Sequence, residues 1–395
     1  MPRLSSPTTT CSGSTARCLP WHGMLALGTL LVCGQASGAA PPRAPPDATH
    51  YVSHQGSDSA AGSLAAPWRT LRHAMGQLRA GDTLFIRGSP APAFDTEDDC
   101  SARTDACWTE TDRCGGYGTC SPLHWVSREG RPAGASDTSR IKVAAYPGEV
   151  VIIQPSDGQH VVAMDPTPGP AACSFITFEN LIFDGRNVSN NVFKIDPGKV
   201  SDHPSLHCSH NQVLGGKIRH GKFVAGVALV GSFWEFKDVE AYENGCQTKS
   251  GDHDHAYYIQ GTHNKLLGGS IHHNIHAIQV WNEHLNGKGI TGHNEFRGID
   301  IGHNGFNPWC KKTRNGCGAE LGLYHDVGGY STVDGCLVHD NTCRGIGLSG
   351  DWWPIPATHV TVTNNHIWNN GKDPIFIGNS SHNVVRDNVF APPGR

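Results

Sequence analysis

The feature that most constrains the fold of this chain is a short segment that recurs along its second half. Each copy has a small residue followed by the pattern apolar, variable, apolar, and the first apolar positions are 257, 278, 299, 321, 346 and 375. Two earlier copies, 193–195 and 227–229, are joined by longer connections. A repeat of this length is typical of solenoids, in which each turn packs against its neighbours. The spacing therefore predicts one long domain with a period of about 21 residues.

A second recurring piece lies between these segments, at 267–274, 290–297, 333–341 and 362–370. It carries apolar residues at strand spacing and Gly or Asn where the chain must bend. No helical periodicity separates the strands, which argues against a leucine-rich horseshoe. The predicted fold is all-β, a single-stranded parallel β-helix with two or three short strands per turn.

Composition agrees with a repetitive all-β protein and excludes several functions. The chain has 48 Gly among 395 residues, and charged residues make up 17%, against roughly 25% in average domains. A net charge of −4 leaves no basic surface for nucleic acid. No apolar run approaches the roughly 20 residues of a spanning helix. We therefore expect no nucleic-acid partner and no membrane span, and we predict a monomer.

The N-terminal segment has the pattern of a secretory signal. Arg3 and Arg17 precede an apolar stretch at 24–33, and small residues follow at 35–40. We predict a signal peptide at 1–38, a Pro-rich leader at 39–48 and the β-helix domain at 49–392, with a Cys-rich loop inserted at about 93–140. The predicted location is secreted or periplasmic.

The 14 cysteines fit an exported protein, in which they can oxidise. Cys100, Cys107, Cys114 and Cys120 should form two disulfides of open connectivity. The other pairs predicted from spacing are Cys310 with Cys317, Cys336 with Cys343, and Cys173 with Cys208, which leaves Cys246 as the odd thiol of the mature chain. No Cys-x-x-Cys spacing supports a zinc site.

The start of the predicted domain resembles a known family. Residues 51–58 (YVSHQGSD), 66–71 (APWRTL) and 80–88 (AGDTLFIRG) are similar to the first turn of right-handed parallel β-helix proteins of the pectate-lyase-like superfamily, and 141–148 (IKVAAYPG) resembles the next turn. The resemblance implies that the parallel β-helix is right-handed. It also implies a short N-terminal α-helix that caps the core, here at about 71–79. The likeness covers about 50–390. It is specific for the fold but weak for the reaction, because this fold hosts several chemistries.

The residue between the two apolar positions of each strand should point outward, so that equivalent residues stack on successive turns. The predicted column contains Lys194, Ala228, Tyr258, Gln279, Asp300, Gly322, Gly347 and Phe376. Neighbouring columns add His255, His276 and Arg297 on one side and Trp281 and Tyr324 on the other. Polar and aromatic residues concentrate around 249–303, which predicts a groove on the turns from 255 to 326.

Aromatic side chains with polar neighbours suit sugar rings. Trp281, Tyr324 and Trp352 would act as stacking platforms, and the predicted polar contacts to substrate come from Gln279, Asp300, His303 and His325. An acidic polysaccharide is the predicted partner.

Many members of the resembled superfamily are lyases of uronic-acid polysaccharides. Their β-elimination needs a base and a group that neutralises the substrate carboxylate. In this chain Arg297 or Lys249 would neutralise the carboxylate. The candidates for base or acid are His255, His253 and Tyr258. Asp252 and Asp254, with Asp300 nearby, could instead coordinate Ca²⁺, and no other cofactor is expected.

Three alternatives remain open at this point. Asp254 and Asp300, two turns apart and so roughly 10 Å by the strand spacing, could serve an inverting hydrolase. A uronate C5-epimerase would begin with the same proton removal, although the signature motifs of that branch and of the polygalacturonases are missing. The surface could also be a non-catalytic glycan-binding adhesin. The bend histidines, among them His272, His273, His293 and His339, are interpreted as solvating or ladder residues.

Overall fold

The structure is a computed structural model that describes residues 49–90, 100, 104–126, 131–165, 173–195, 208–246, 254–281, 291–314, 318–324, 326, 328–348 and 357–393. All of these lie in one compact unit, Pro46–Arg395. The predicted signal peptide and leader at 1–48 lie outside the described residues. So do five of the predicted site residues, namely Lys249, Asp252, His253, His325 and Trp352.

Three parallel sheets run the length of the described chain. The first sheet has 11 strands, in the order β1 (Thr49–Val52), β2 (Thr83–Ile86), β8 (Ile141–Ala145), β12 (Ile176–Glu179), β15 (Gln212–Leu214), β18 (Glu235–Lys237), β21 (Lys265–Leu267), β24 (Glu295–Arg297), β29 (Thr332–Asp334), β32 (Thr361–Thr363) and β35 (Val384–Arg386).

The second sheet has nine strands, in the order β4 (Cys107–Trp108), β10 (Ile152–Ile153), β13 (Ile182–Asp184), β16 (Lys217–Arg219), β19 (Glu240–Tyr242), β22 (Ser270–His272), β25 (Asp300–Gly302), β30 (Leu337–His339) and β33 (His366–Trp368). The third sheet also has nine, in the order β7 (Trp125–Val126), β11 (Val162–Asp165), β14 (Phe193–Ile195), β17 (Ala225–Val230), β20 (His255–Gln260), β23 (Ile278–Val280), β28 (Ala319–Leu323), β31 (Arg344–Leu348) and β34 (Ile375–Ile377).

From β8 onward the chain visits the first, second and third sheets in turn and then returns to the first sheet one level higher. This confirms the predicted right-handed parallel β-helix, with three strands per turn. Three small antiparallel pairs interrupt it: β3 (Ser89–Pro90) with β9 (Glu149–Val150), β5 (Asp112–Arg113) with β6 (Thr119–Cys120), and β26 (Phe306–Asn307) with β27 (Lys312–Thr313). Two 3₁₀ turns, Thr104–Ala106 and Gly115–Tyr117, lie in the Cys-rich region.

The one α-helix of the described residues is α1 (Leu71–Gln77), close to the predicted capping helix. Thr70 begins it, because its side-chain oxygen accepts a hydrogen bond from the His73 amide at 3.2 Å. Leu71, Ala74 and Met75 are buried at the N-terminal end of the core.

The predicted period of about 21 residues is wrong beyond β23. Ile278 pairs with Leu321 in the third sheet, whereas Ile299, the expected intermediate copy, lies just before β25 of the second sheet. Ile299 fits the sequence pattern because it is buried, but the same apolar alternation occurs in all three sheets.

The actual turn length is visible in a ladder of buried asparagines between the second and third sheets. The side-chain oxygen of each asparagine accepts a hydrogen bond from the amide of the previous one at 2.9 to 3.3 Å, with sequence separations of 30, 30, 37 and 29 along Asn244, Asn274, Asn304, Asn341 and Asn370. The Asn274 side chain also donates to the Ala241 carbonyl at 3.0 Å. The ladder thus satisfies the backbone polar groups that the bend leaves unpaired.

A stack of rings follows the bend between the third and first sheets on the outside. Every ring residue has a left-handed φ between +54° and +60°, and adjacent ring centroids are 4.8 to 5.3 Å apart, through Phe175, His210, Phe233, His263, His293, Tyr330, His359 and His382. The interpretation of His293 as a ladder residue is consistent with this placement.

Disulfides join Cys100 to Cys107, Cys114 to Cys120 and Cys173 to Cys208, in agreement with the sequence prediction. The sulfurs of Cys114 and Cys120 lie near His124, but the disulfide removes them as metal ligands. Disulfides of this number are typical of an exported protein.

The remaining cysteine predictions are wrong. Cys246 bonds to Cys310 across 64 residues, because the β26–β27 hairpin folds back toward the end of β19. Cys336 is a free thiol. Cys343 is disulfide-bonded, so its partner is not Cys336. Cys336 points into the core, where burial raises the pKa of its thiol to about 11.

Among the described residues, no helix has the length and apolar character needed to cross a membrane.

Replacing Asn274 by Ala should lower the free energy of unfolding by about 3 kcal/mol, since the Asn244 amide and the Ala241 carbonyl both lose a buried partner, at roughly 1–3 kcal/mol for each group. Denaturant unfolding followed by circular dichroism measures this. Lys237→Ala, on the exposed face of the first sheet, is the control and should change stability by less than about 0.5 kcal/mol. Equal stability of the two variants would contradict a structural role for the ladder.

Candidate functional site

Polar side chains gather on the outward side of the third sheet, over strands β20, β23 and β28. We call this surface the third-sheet face. In register across it lie Ala228, Tyr258, Gln279, Gly322 and Gly347. This is the predicted outward column, with one exception described below. The inward neighbours Tyr257 and Ile259 are buried in the core, which fixes the alternation.

The centre of the third-sheet face is a contact of three rings. His255 is stacked on Tyr258, with ring centroids 5.6 Å apart and planes inclined by 23°, and its ring lies 4.9 Å from that of His276 on the next turn. Both histidines are buried, whereas Tyr258 is half-buried. Tyr258 is therefore the one ring of the three that is partly accessible to solvent.

A buried ion pair lies beside these rings. Arg314 Nη2 is 2.8 Å from Glu320 Oε1, and Glu320 Oε2 accepts a hydrogen bond from the Ala277 amide at 3.1 Å. Arg314 also contacts His276 Nδ1. Because a guanidinium can only donate, that nitrogen is the acceptor, and the His276 proton is on Nε2. Burial raises the pKa of Glu320, and the charge of Arg314 opposes this rise.

Tyr324 covers the next turn of the third-sheet face. Its ring lies on Gly322, where a Cβ atom would come within 2.6 Å of the ring carbons. Its phenol oxygen accepts a hydrogen bond from the Ala319 amide at 2.5 Å. Burial raises the pKa of Tyr324, which keeps the phenol neutral. Trp281 follows β23 and is half-buried.

The β26–β27 hairpin closes one side of this surface. It is fixed by the Cys246–Cys310 disulfide, and its Lys312 ammonium lies 2.9 Å from Asp254 Oδ2. Asp254 was predicted as a calcium ligand. Since its carboxylate is fully buried and engaged by an ammonium, it does not resemble the oxygen-rich sites that Ca²⁺ prefers.

The third-sheet face brings together five of the residues that the sequence singled out, namely His255, Tyr258, Gln279, Trp281 and Tyr324, with Asp254 at its edge. The roles of these residues in chemistry remain predictions. Lys249, Asp252, His253, His325 and Trp352 lie outside the described residues.

Three predicted site residues do not lie on the third-sheet face. Arg297 is in β24 of the first sheet, where it pairs with Asp334 at 2.7 Å. Asp300 is in β25 of the second sheet, and His303 follows in the next bend. The error has the same origin as the wrong period, because the 43-residue step from Gln279 to Gly322 was interpreted as two turns.

Arg314 and Glu320 were missed. Glu320 carried a signal, since a fully buried carboxylate in the otherwise apolar and small strand Ala319–Leu323 needs a buried partner. Arg314 carried none, because it lies in the connection whose path only the three-dimensional fold determines.

A second polar surface, which we call the histidine stripe, follows the end of the second sheet and the bend after it. The residues at the bend all have a left-handed φ between +49° and +61°, and they are His220, Glu243, His273, His303, Asp340 and Asn369. The strand ends beside them are Arg219, Tyr242, His272, Gly302, His339 and Trp368. The sequence analysis treated the histidines of this stripe as bend residues, apart from His303, which it predicted as a substrate contact. It did not predict that they cluster.

Carboxylates hold the imidazoles of the stripe. His220 contacts Asp184 at 2.7 Å and Glu243 at 3.0 Å, and His272 contacts Glu240 at 3.0 Å. Burial alone would raise the pKa of Asp184, but the hydrogen bond and charge of His220, with the charge of Arg219, lower it to about 2.

A buried carboxyl group lies just beyond the third-sheet face. Asp326 is fully buried in the bend after β28, and its Oδ1 accepts a hydrogen bond from the Ser331 hydroxyl at 3.1 Å. Burial raises the pKa of Asp326 to about 7.

A family model described as "Periplasmic copper-binding protein (NosD)" matches residues 237–394. A search of curated proteins gives no match. Among solved structures, pectate lyase Pel9A is similar over 85% of this chain and 79% of its own, with 14% identity and a TM-score of 0.55. Weaker similarities are a GH136 lacto-N-biosidase from Eubacterium ramulus (10% identity, 87% and 68% covered, TM-score 0.40) and a rhamnogalacturonan lyase (13%, 87% and 62%, 0.31). The chain thus has a pectate-lyase-like parallel β-helix fold.

Asp326→Asn should stabilise the protein at pH 8. An unfolded Asp ionises near pH 3.9, so between about pH 4 and 7 the folded protein binds more protons than the unfolded chain, and its stability falls as pH rises through that window. The Asn variant lacks this loss and should be more stable at pH 8 by on the order of 1 to 4 kcal/mol. Denaturant titrations at pH 5 and 8 measure the difference.

Asp334→Asn is the matched control for this measurement. Hydrogen bonds from Asn364 and Thr363 lower the pKa of Asp334, so its replacement should give no gain in stability at pH 8. If Asp326→Asn also gave no gain in stability at pH 8, burial of the Asp326 carboxyl group would not destabilise the folded protein.

Proposed function

We propose that this protein is an exported carbohydrate-active enzyme that cleaves a uronic-acid polysaccharide by β-elimination on the third-sheet face. The observation that carries the proposal is the contact of buried His255 with half-buried Tyr258. Imidazole and phenol are groups that can take a proton from carbon and return one to a leaving oxygen. A fold shared with pectate lyase Pel9A supports the choice of substrate class.

In the proposed mechanism, Tyr258 is the group that touches the sugar, and His255 positions its ring through the stacked contact. Gln279, one turn along in register, lies where it can donate to a substrate hydroxyl. Trp281 offers a ring for the apolar face of a sugar. These roles use four of the five predicted residues that share this surface.

The developing negative charge of the β-elimination needs a cation. Arg297, the sequence candidate, lies in another sheet. In our proposal Arg314 contributes indirectly, because its contact with His276 Nδ1 holds in one tautomer the imidazole that lies against His255. Glu320 keeps Arg314 in place by the ion pair at 2.8 Å.

Absorbance of the unsaturated product tests the proposal when the protein is incubated with pectate, alginate and glycosaminoglycans. We expect turnover on at least one of them. Tyr258→Phe should reduce it by roughly 100-fold or more, as is usual for loss of an acid or base, and His255→Gln should also reduce it, because the stacked support of the Tyr258 ring is lost. Tyr330→Phe is the matched control, because Tyr330 is an exposed tyrosine of the ring stack, and it should retain full activity.

The alternatives give different results in the same assay. New reducing ends without an absorbance rise would replace the lyase by a hydrolase, and isotope exchange at C5 without cleavage would replace it by an epimerase. Glycan affinity with no turnover would mean a binding protein. Lyase activity that survives in both Tyr258→Phe and His255→Gln would move the reaction away from the third-sheet face.

A further inference from the structure

We propose that the histidine stripe holds a divalent transition-metal ion, with His303, His339 and Asp340 as its ligands. One ligand atom from each residue lies within 4.8 Å of the others. Two imidazoles and one carboxylate form a nitrogen and oxygen donor set, which suits Cu²⁺ or Zn²⁺. This site is on the second sheet and its bend, and it does not depend on the lyase proposal.

The second sheet brings the three ligands together. His303 and Asp340 occupy the same bend position on successive turns, both with a left-handed φ, at +57° and +53°. His339 is the last residue of β30 and stands in register with Gly302. Residues in register on adjacent strands are about 4.8 Å apart, so the separation of the ligands follows from the stacking of turns.

His339 is held in one orientation by its surroundings. Its ring lies over Gly302, where a Cβ atom would come within 2.7 Å of the ring, and Trp368 stacks on it with centroids 4.3 Å apart and an 8° inclination. A ring confined in this way can offer only its edge nitrogens to a ligand.

Each ring nitrogen of His339 contacts a different carboxylate. Its Nε2 lies 2.8 Å from Asp300 Oδ1, and its Nδ1 lies 2.7 Å from Asp340 Oδ2. With Asp300 accepting the Nε2 proton, the metal would displace the proton that Nδ1 shares with Asp340 and release it to solvent, which leaves the Nδ1 lone pair for the metal. A carboxylate that holds the second nitrogen of a ligating histidine is a common feature of metal sites. In this arrangement the ion takes the place of the hydrogen bond between His339 and Asp340.

The other two ligands, His303 and Asp340, are also placed to bind an ion. His303 is exposed, so an ion can enter from solvent. Asn369 donates a hydrogen bond to Asp340 Oδ1, which orients the carboxylate. The family model whose description names copper covers 237–394 and therefore all three ligands. That description guides the choice of probe.

Titration of the full, disulfide-intact and chelator-treated protein with Cu²⁺ tests the site, followed by calorimetry and electron paramagnetic resonance. We expect one tight equivalent of Cu²⁺ with hyperfine splitting from imidazole nitrogen. The double variant His303→Ala with His339→Ala should lose it. Asp300→Asn, which removes no ligand, should weaken binding roughly 10- to 100-fold.

Matched controls separate this site from general histidine binding. His263→Ala with His293→Ala removes two histidines of the ring stack that also have left-handed bend conformations, and Asp334→Asn removes a carboxylate of the first sheet. Both should keep the tight equivalent. Thermal unfolding checks that each variant is folded, and His303→Ala alone serves if the double variant is not.

The proposal is overturned if the tight equivalent persists in the variants lacking His303, or if the ring-stack variant loses it equally. The same measurements leave the lyase proposal untouched, because no residue of the third-sheet face is altered.

Discussion

The structure depends on one constraint, which is that every turn must hydrogen-bond to the turns above and below it through parallel strands. Parallel pairing fixes the distance between turns at about 4.8 Å, and each turn must also present apolar side chains of matching position to the shared core. The bends between sheets cannot take part in strand pairing. Asparagine side chains satisfy them instead, as in the ladder from Asn244 to Asn370.

Regular stacking converts single residues into rows. A residue type repeated at one position of the turn becomes a continuous surface on the outside, and three such surfaces occur among the described residues. The ring stack consists of aromatic and histidine rings in contact, the histidine stripe combines imidazoles with carboxylates, and the third-sheet face has its rings beside the Arg314–Glu320 pair. The ring stack explains the presence of its histidines by packing alone.

The other two surfaces differ in how their charges are arranged. On the third-sheet face the ions are buried and paired, so Arg314 and Glu320 fix the geometry around His276, while Tyr258 is half-buried. On the histidine stripe the carboxylates contact imidazoles directly, and His303 remains exposed. The first arrangement suits proton transfer to a bound sugar, and the second suits a small cation.

The sequence by itself determined the β-helix and the inward and outward alternation of the third-sheet strands. The capping helix, expected at about 71–79 from the family resemblance, is found at Leu71–Gln77. The β-helix and the alternation are consequences of local patterns, because the two-residue alternation of a strand and the small or amide residues of a bend can be read within a few positions. This is why His255, Tyr258, Gln279, Trp281 and Tyr324 were correctly grouped on one surface.

Only the tertiary structure decided which turns are neighbours. The connections vary in length, so the apolar pattern around Ile299 was assigned to the wrong sheet, and Asp300 and His303 with it. The partner of Cys246, the approach of Arg314 to Glu320 and the meeting of His303 with His339 depend on the same register. Contacts between turns join residues about 30 positions apart, and no local pattern encodes the length of the loop between them.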